Sequence, residues 1–151
     1  MRGRSVIIGV GNPFRSDDGA GLAAARASRA DAPDDVTVVE LEGEATSLLD
    51  MWDGFDRAIV VDAVKGNNPP GHLYRFDALV DPPPDELFRY STHAFGVSAA
   101  IGLGRALQRL PGCLIVYGIE GESFEAGTTL TPEVERAVAR VTVRIRREVA
   151  E

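Results

Sequence analysis

Short apolar runs alternate along this chain with longer stretches of helical spacing. Four runs are near-continuously apolar: Ser5–Val10 (SVIIGV), Val36–Leu41 (VTVVEL), Arg57–Val64 (RAIVVDAV) and Cys113–Ile119 (CLIVYGI). All four read as strands, Ser5–Val10 and Cys113–Ile119 as buried ones, and Arg57–Val64 is apolar until Asp62. A fifth run, HLYRFDA after the turn KGNNPPG, alternates apolar and polar residues and reads as a more exposed strand. Between the runs lie helical stretches. Asp17–Ala30 is alanine-rich, with Ser16 or Asp17 as the expected N-cap. Thr46–Trp52 reads as a short helix capped by Thr46, and Phe95–Leu110 as a small-residue helix with Ser91 or Thr92 as its start signal. Thr131-Pro132-Glu133 opens a final helix that runs to about Val149, with Thr capping and Pro in the first turn. DPPPDE between them is a loop, because three prolines exclude a helix interior.

Strands that alternate with helices predict an α/β sandwich on a mainly parallel sheet. The connection from the third to the fourth strand is too short for a helical crossover, so the fourth strand is expected to be antiparallel. The 151 residues fit one domain, 1–151, with no internal repeat and no linker.

Composition narrows the chemistry. A net charge of −7 argues against a nucleic-acid partner and against an anionic membrane surface, and permits a cation or a basic partner segment. No apolar run approaches the ~20 residues of a membrane span, and the opening MRGRSVIIGVGN reads as a first strand in preference to a signal peptide. A single cysteine, Cys113, allows no internal disulfide and suits the cytoplasm. Two histidines and one cysteine exclude a thiolate-rich zinc site, so a metal site must lean on carboxylates, helped by His72 or His93.

The carboxylates fall in suggestive places. In open α/β sheets, ligands bind beyond the carboxyl ends of the strands, where the strand order reverses. Asp17 and Asp18 lie just past the first strand and Asp62 near the end of the third, so the three converge if those strands are neighbours. His93, before the later helix, can reach the same edge. Each residue also has a plainer reading. Asp17 and Asp18 can favour the positive end of a helix, each worth about 0.3–1 kcal/mol. One cap needs only one side chain, however, which makes Asp17 the cap or support and Asp18 the ligand candidate. Asp62 ends an apolar strand, where an ionised carboxylate is costly unless paired or metal-bound. A lone His near a helix start, like His72 beside its turn, is more often structural.

Gly9-Val10-Gly11 half-matches a dinucleotide loop, with Glu40 where a ribose-binding acid would sit. Phe14 stands where the fingerprint wants its third glycine, and two aspartates would meet the pyrophosphate. Gly9 and Gly11 instead suit a tight turn that brings Asn12 and the aspartates to the rim. Ser91, Thr92 and Ser98 lie near His93, but none occupies a nucleophile elbow.

IIGVGNPFRSDDGAGL, AIVVDAV, STHAFGVSAAI and GIEGESFEAGTTLTPEVERAV together resemble, nearly end to end, the hydrogenase maturation endopeptidases. The resemblance implies a three-layer α/β/α sandwich on a five-stranded mixed sheet of order 2-1-3-5-4, with strand four antiparallel. It implies an endopeptidase that removes a C-terminal extension from the nickel-loaded precursor of a nickel-iron hydrogenase large subunit. By motif position the family's metal ligands fall on Asp18, Asp62 and His93. The nickel is expected to arrive with the substrate, and other divalent ions such as zinc suit the same donors. A metal-activated water, or a carboxylate among Asp17, Asp18 and Asp62, is the candidate for breaking the peptide bond. Two departures stand out. The first acidic ligand is Glu in some members and Asp18 here, and the family's recognition stretch after strand two reads LEGEATSLL, with Glu42 and Glu44. Two alternatives remain open: a Rossmann-like nucleotide-binding protein, and a non-proteolytic metal-binding or chaperone relative.

Overall fold

The computed structural model describes residues 3–88 and 96–151. His93, Ser91, Thr92 and Phe95 therefore lie outside the described residues, and with them the expected start of the helix that follows. Five strands form one sheet: β1 (Ser5–Val10), β2 (Val36–Leu41), β3 (Arg57–Val64), β4 (Leu73–Asp77) and β5 (Cys113–Glu120). Their order is β2-β1-β3-β5-β4. β1, β2, β3 and β5 run parallel, and β4 pairs antiparallel with β5 on the edge. The mixed sheet and its antiparallel fourth strand match both the reasoning from loop length and the order implied by the resemblance.

Among the described residues four α-helices cover the sheet: α1 (Ala20–Arg29), α2 (Ala45–Trp52), α3 (Val97–Ala106) and α4 (Pro132–Ala150). Alternation along β1 and β3 assigns the faces. Val6, Ile8, Val60 and Val64 pack with Leu48, Leu49 and Trp52 of α2 and Val97, Ala100 and Ile101 of α3. Ile7, Ile59 and Val61 pack instead with Ala20 and Ala24 of α1 and Val134, Val141 and Ile145 of α4. Because both faces are covered, β3 and β5 carry the near-continuous apolar runs seen in the sequence, broken in β3 by Asp62.

Helix starts differ from expectation in instructive ways. The stretch expected as one helix from Asp17 begins as a 3-10 turn, Ser16–Gly19, and becomes α-helical only at Ala20. Neither Ser16 nor Asp17 caps it. The Ser16 hydroxyl donates to the Glu125 carbonyl, and the Asp17 carboxylate serves a distant segment. Thr46 is not a cap either: α2 begins at Ala45 with Glu44 in the cap position and no side-chain cap bond. Thr131 does sit at the cap position of α4, but its hydroxyl donates to Asp17 in place of the helix. α3 stops at Ala106, four residues short of expectation. Gln108 takes a left-handed φ of 56°, and the Arg109 amide donates back to the Gly104 carbonyl, which closes the helix.

Two glycines place the functional edge. A Cβ on Gly21 would lie 2.2 Å from the Val61 carbonyl oxygen and 2.5 Å from that of Val10. A Cβ on Gly9 would lie 2.4 Å from the Gly21 carbonyl oxygen. Backbone thus meets backbone, and α1 is drawn against β1 and β3 with its N-terminus at the sheet's carboxyl edge. Gly9 serves this close approach more than it serves a turn.

Candidate active site

The strand order reverses between β1 and β3, where the chain goes left to β2 and right to β5. Pairing of β1 with β3 ends at Gly9–Val61, whereas β3 continues against β5 as far as Val64–Glu120. The crevice therefore opens beside Asp62, at the position where such sheets bind ligands.

Asp62 is 2% exposed, and its Oδ2 is a buried oxygen without a hydrogen-bond partner among the described residues. Burial, and then the negative charge of Asp18, hold its carboxyl well above the usual carboxylate range, opposed in part by a backbone hydrogen bond at Ala63. Asp18, also 2% exposed, enters from the other side of the crevice. Its Oδ2 accepts the Asn12 amide at 3.1 Å, and its own amide donates to the Arg15 carbonyl. A Cβ on Gly11 would lie 2.0 Å from the Asp18 carbonyl oxygen, so only glycine lets the β1 exit pass this close. The two aspartates expected to converge, Asp18 and Asp62, thus come within electrostatic reach of each other. His93, the third expected donor, lies outside the described residues. Among the described residues no group of three His, Cys, Asp or Glu side chains forms a metal shell.

Asp17 faces the other way. It is fully buried, and both of its oxygens are occupied. Oδ2 accepts the amides of Glu122 (2.8 Å) and Ser123 (3.0 Å) and the Thr131 hydroxyl (2.8 Å), while Oδ1 accepts the Thr131 amide (2.8 Å). The carboxylate ties the loop after β5 and the start of α4 to the turn that carries Asp18.

Glu120 is a buried carboxylate that sequence reasoning passed over. It ends β5 as Asp62 nearly ends β3, and an acid closing the apolar run CLIVYGIE is the same signal. Its oxygens are taken: the Gly66 amide donates to both, and the Tyr74 hydroxyl donates to Oε1 at 2.7 Å. It fixes the exit of β3 against β4 and β5. His72 is exposed and stacks edge-on to Tyr74 with ring centroids 4.8 Å apart, in keeping with the plainer reading. Cys113 is half-buried at the start of β5 and packs on the α1/α4 core.

The dinucleotide features have other employment. Glu40 accepts from Arg26 at 2.8 Å and from Arg29 at 3.3 Å. The Asn12 amide, in the turn where a pyrophosphate would be cradled, already donates to the chain's own Asp18. Glu42 and Glu44 are exposed beyond the end of β2, at the same edge as the crevice.

Comparison with known proteins identifies the family and the fold. Residues 22–148 match the family profile described as hydrogenase maturation protease, HycI. The chain is 30% identical over 145 residues to the hydrogenase expression/formation protein HupD of Bradyrhizobium diazoefficiens, covering 90% of this chain and 72% of that protein. It is 29% identical over 140 residues to the hydrogenase 2 maturation protease of Escherichia coli, covering 89% and 84%. In solved structures the fold recurs in an endopeptidase from Escherichia coli, with a TM-score of 0.82, 26% identity and coverage of 94% and 89%. It recurs also in the hydrogenase maturating endopeptidase HybD of Escherichia coli, with a TM-score of 0.74, 24% identity and coverage of 96% and 93%, a likeness that speaks to the fold. The shared profile over most of the chain, with the HupD match, establishes that this chain belongs to the hydrogenase maturation protease family and is a peptidase.

Proposed function

We propose that this protein removes a C-terminal extension from the nickel-loaded precursor of a nickel-iron hydrogenase large subunit. The observation that carries the reading is the buried pair Asp18 and Asp62 at the β1/β3 crevice, with Asp62 Oδ2 lacking a hydrogen-bond partner among the described residues. Two carboxylates held together out of water repel each other and sacrifice hydration. A divalent cation relieves both penalties, and oxygen donors with one imidazole suit nickel or zinc. Asp18, Asp62 and His93 are the proposed ligands.

The nickel belongs to the substrate in this reading. A precursor that carries the ion is drawn to the carboxylates and its scissile bond is held close. An empty precursor meets only their charge and their desolvation. Hydrolysis adds water across the peptide bond, leaving a new carboxyl terminus on the precursor and a free amine on the released extension. Asp18 or Asp62 is the proposed acceptor of the proton from that water. The four hydrogen bonds into Asp17 suit it to positioning the turn in place of accepting that proton.

Incubation of purified protein with nickel-loaded precursor, followed by intact-mass spectrometry, tests the reading. Wild type should yield the shortened subunit, and Asp62→Ala should yield none while its circular dichroism stays native. Processing by the Asp62→Ala variant would remove the site. Binding of the precursor without any product would favour a non-proteolytic relative.

A further inference from the structure

Phe14 is a large aromatic side chain left 69% exposed on the turn between β1 and Asp18. Other exposed large apolar residues among those described are Leu79, Val80, Leu103, Leu107 and Val143, none aromatic. Isolated surface apolar residues are ordinary, so exposure alone decides nothing. The turn beneath Phe14 is what sets it apart. The Phe14 amide donates to Asn12 Oδ1 and its carbonyl accepts the Gly127 amide. The Arg15 amide donates to the Asn12 carbonyl, and the Arg15 side chain to the Phe124 carbonyl. The Ser16 amide donates to the Gly127 carbonyl, and Ser16 holds a left-handed φ of 52°. One segment more than 100 positions away, residues 124–127, thus holds the turn, together with the turn's own Asn12. A loop tip that only connected a strand to a helix would need none of this.

The same turn is bonded to the site. Asn12 donates its amide to Asp18 Oδ2, and Asp18 donates its own to Arg15. Phe14 thus stands on the same hydrogen-bonded turn that carries Asp18. Around it the edge is acidic, with Glu42, Glu44, Glu122 and Glu125 exposed on the neighbouring loops.

Resting on the function proposed above, we infer that Phe14 is the anchor by which this protein docks on the folded precursor, inserting into an apolar pocket bordered by basic side chains. Aromatic residues dominate the energetics of protein interfaces, and a side chain already fixed by its backbone loses less freedom on binding. Docking at Phe14 therefore selects the partner, while Asp18 and Asp62 read the metal. Phe14 positions the substrate and takes no part in the chemistry.

The test measures binding and cleavage separately on the nickel-loaded precursor. Biolayer interferometry compares wild type with Phe14→Ala and Phe14→Leu, and thermal melting checks each fold. Phe14→Ala should weaken binding roughly 10- to 100-fold with an unchanged melting temperature. Phe14→Leu should recover part of the loss, and kcat at saturating precursor should stay near wild type for both. Binding should also fall with added salt. Equal affinity of wild type and Phe14→Ala, or no binding by wild type, overturns the anchor, and salt-indifferent binding overturns the basic border. The function reading fails separately, if Asp62→Ala still processes the precursor, and leaves the binding comparison intact.

Discussion

Replacing Asp17 by alanine should unfasten the edge of the site from the rest of the protein. The wild-type carboxylate accepts four hydrogen bonds of 2.8–3.0 Å, three from backbone amides and one from the Thr131 hydroxyl. Its removal strands all four donors. A buried donor left without a partner costs about 1–3 kcal/mol, but Glu122 and Ser123 lie on a loop that can turn toward water. Losses at the low end of that range sum to about 4 kcal/mol, comparable with breaking a buried ion pair. For a chain of this length, that lowers the melting temperature by on the order of 10 °C. Asp17→Asn keeps the shape. Its single oxygen can face the three donors that Oδ2 now accepts, leaving its amide against the Thr131 N–H, so one bond becomes a donor–donor contact. That variant should lose only about 1–3 kcal/mol. Urea unfolding followed by circular dichroism measures both, and hydrogen exchange should show the amides of Glu122, Ser123 and Thr131 opening first. A loss below about 1 kcal/mol for Asp17→Ala would mean that the carboxylate is not the clamp described here.

Asp62→Asn should raise thermal stability at neutral pH while abolishing processing. A carboxyl whose folded pKa lies above its unfolded value stabilises the fold fully only below about pH 4, and that contribution is lost as pH climbs through the raised value. The stability gap between variant and wild type should therefore close as pH falls; a variant less stable than wild type at pH 7 would contradict it. Burial and the Glu148 carboxylate push the Tyr117 hydroxyl up to about 12. Ultraviolet titration should show a phenolate step near that pH that Tyr117→Phe removes, and an unaltered curve would count against the contact. Gly21→Ala should destabilise by about 3 kcal/mol or more, because its Cβ would collide with the carbonyls of Val61 and Val10. Native unfolding of that variant would refute the backbone contact that positions α1.

Strand boundaries were legible because burial on both faces leaves a near-continuous apolar run, as in Cys113–Glu120, and the antiparallel β4 followed from a connection too short to cross over. Asp18 and Asp62 could be singled out because each interrupts a pattern that has no local use for a charge. Helix caps were less legible. Ser16, Asp17 and Thr131 have cap-forming side chains, but each bonds to a partner at a distance in sequence, such as Asp17 to Thr131 across 114 positions. Local propensity cannot register such a competitor. Glu120 carried the same signal as Asp62 and shows its limit. An acid at the end of a buried strand must find a partner, and in Glu120 the partners are the chain's own Gly66 and Tyr74. The half-match to a dinucleotide loop dissolved for a similar reason, once Asp18 had taken the Asn12 amide and Arg26 and Arg29 had taken Glu40.

In the proposed function, Asp18 and Asp62 require a cation brought by the substrate. Nickel-loaded and nickel-free precursor, each incubated with this protein and followed by intact mass, test that dependence directly. The account predicts the shortened subunit from the loaded precursor and none from the empty one. Equal conversion of both would contradict it.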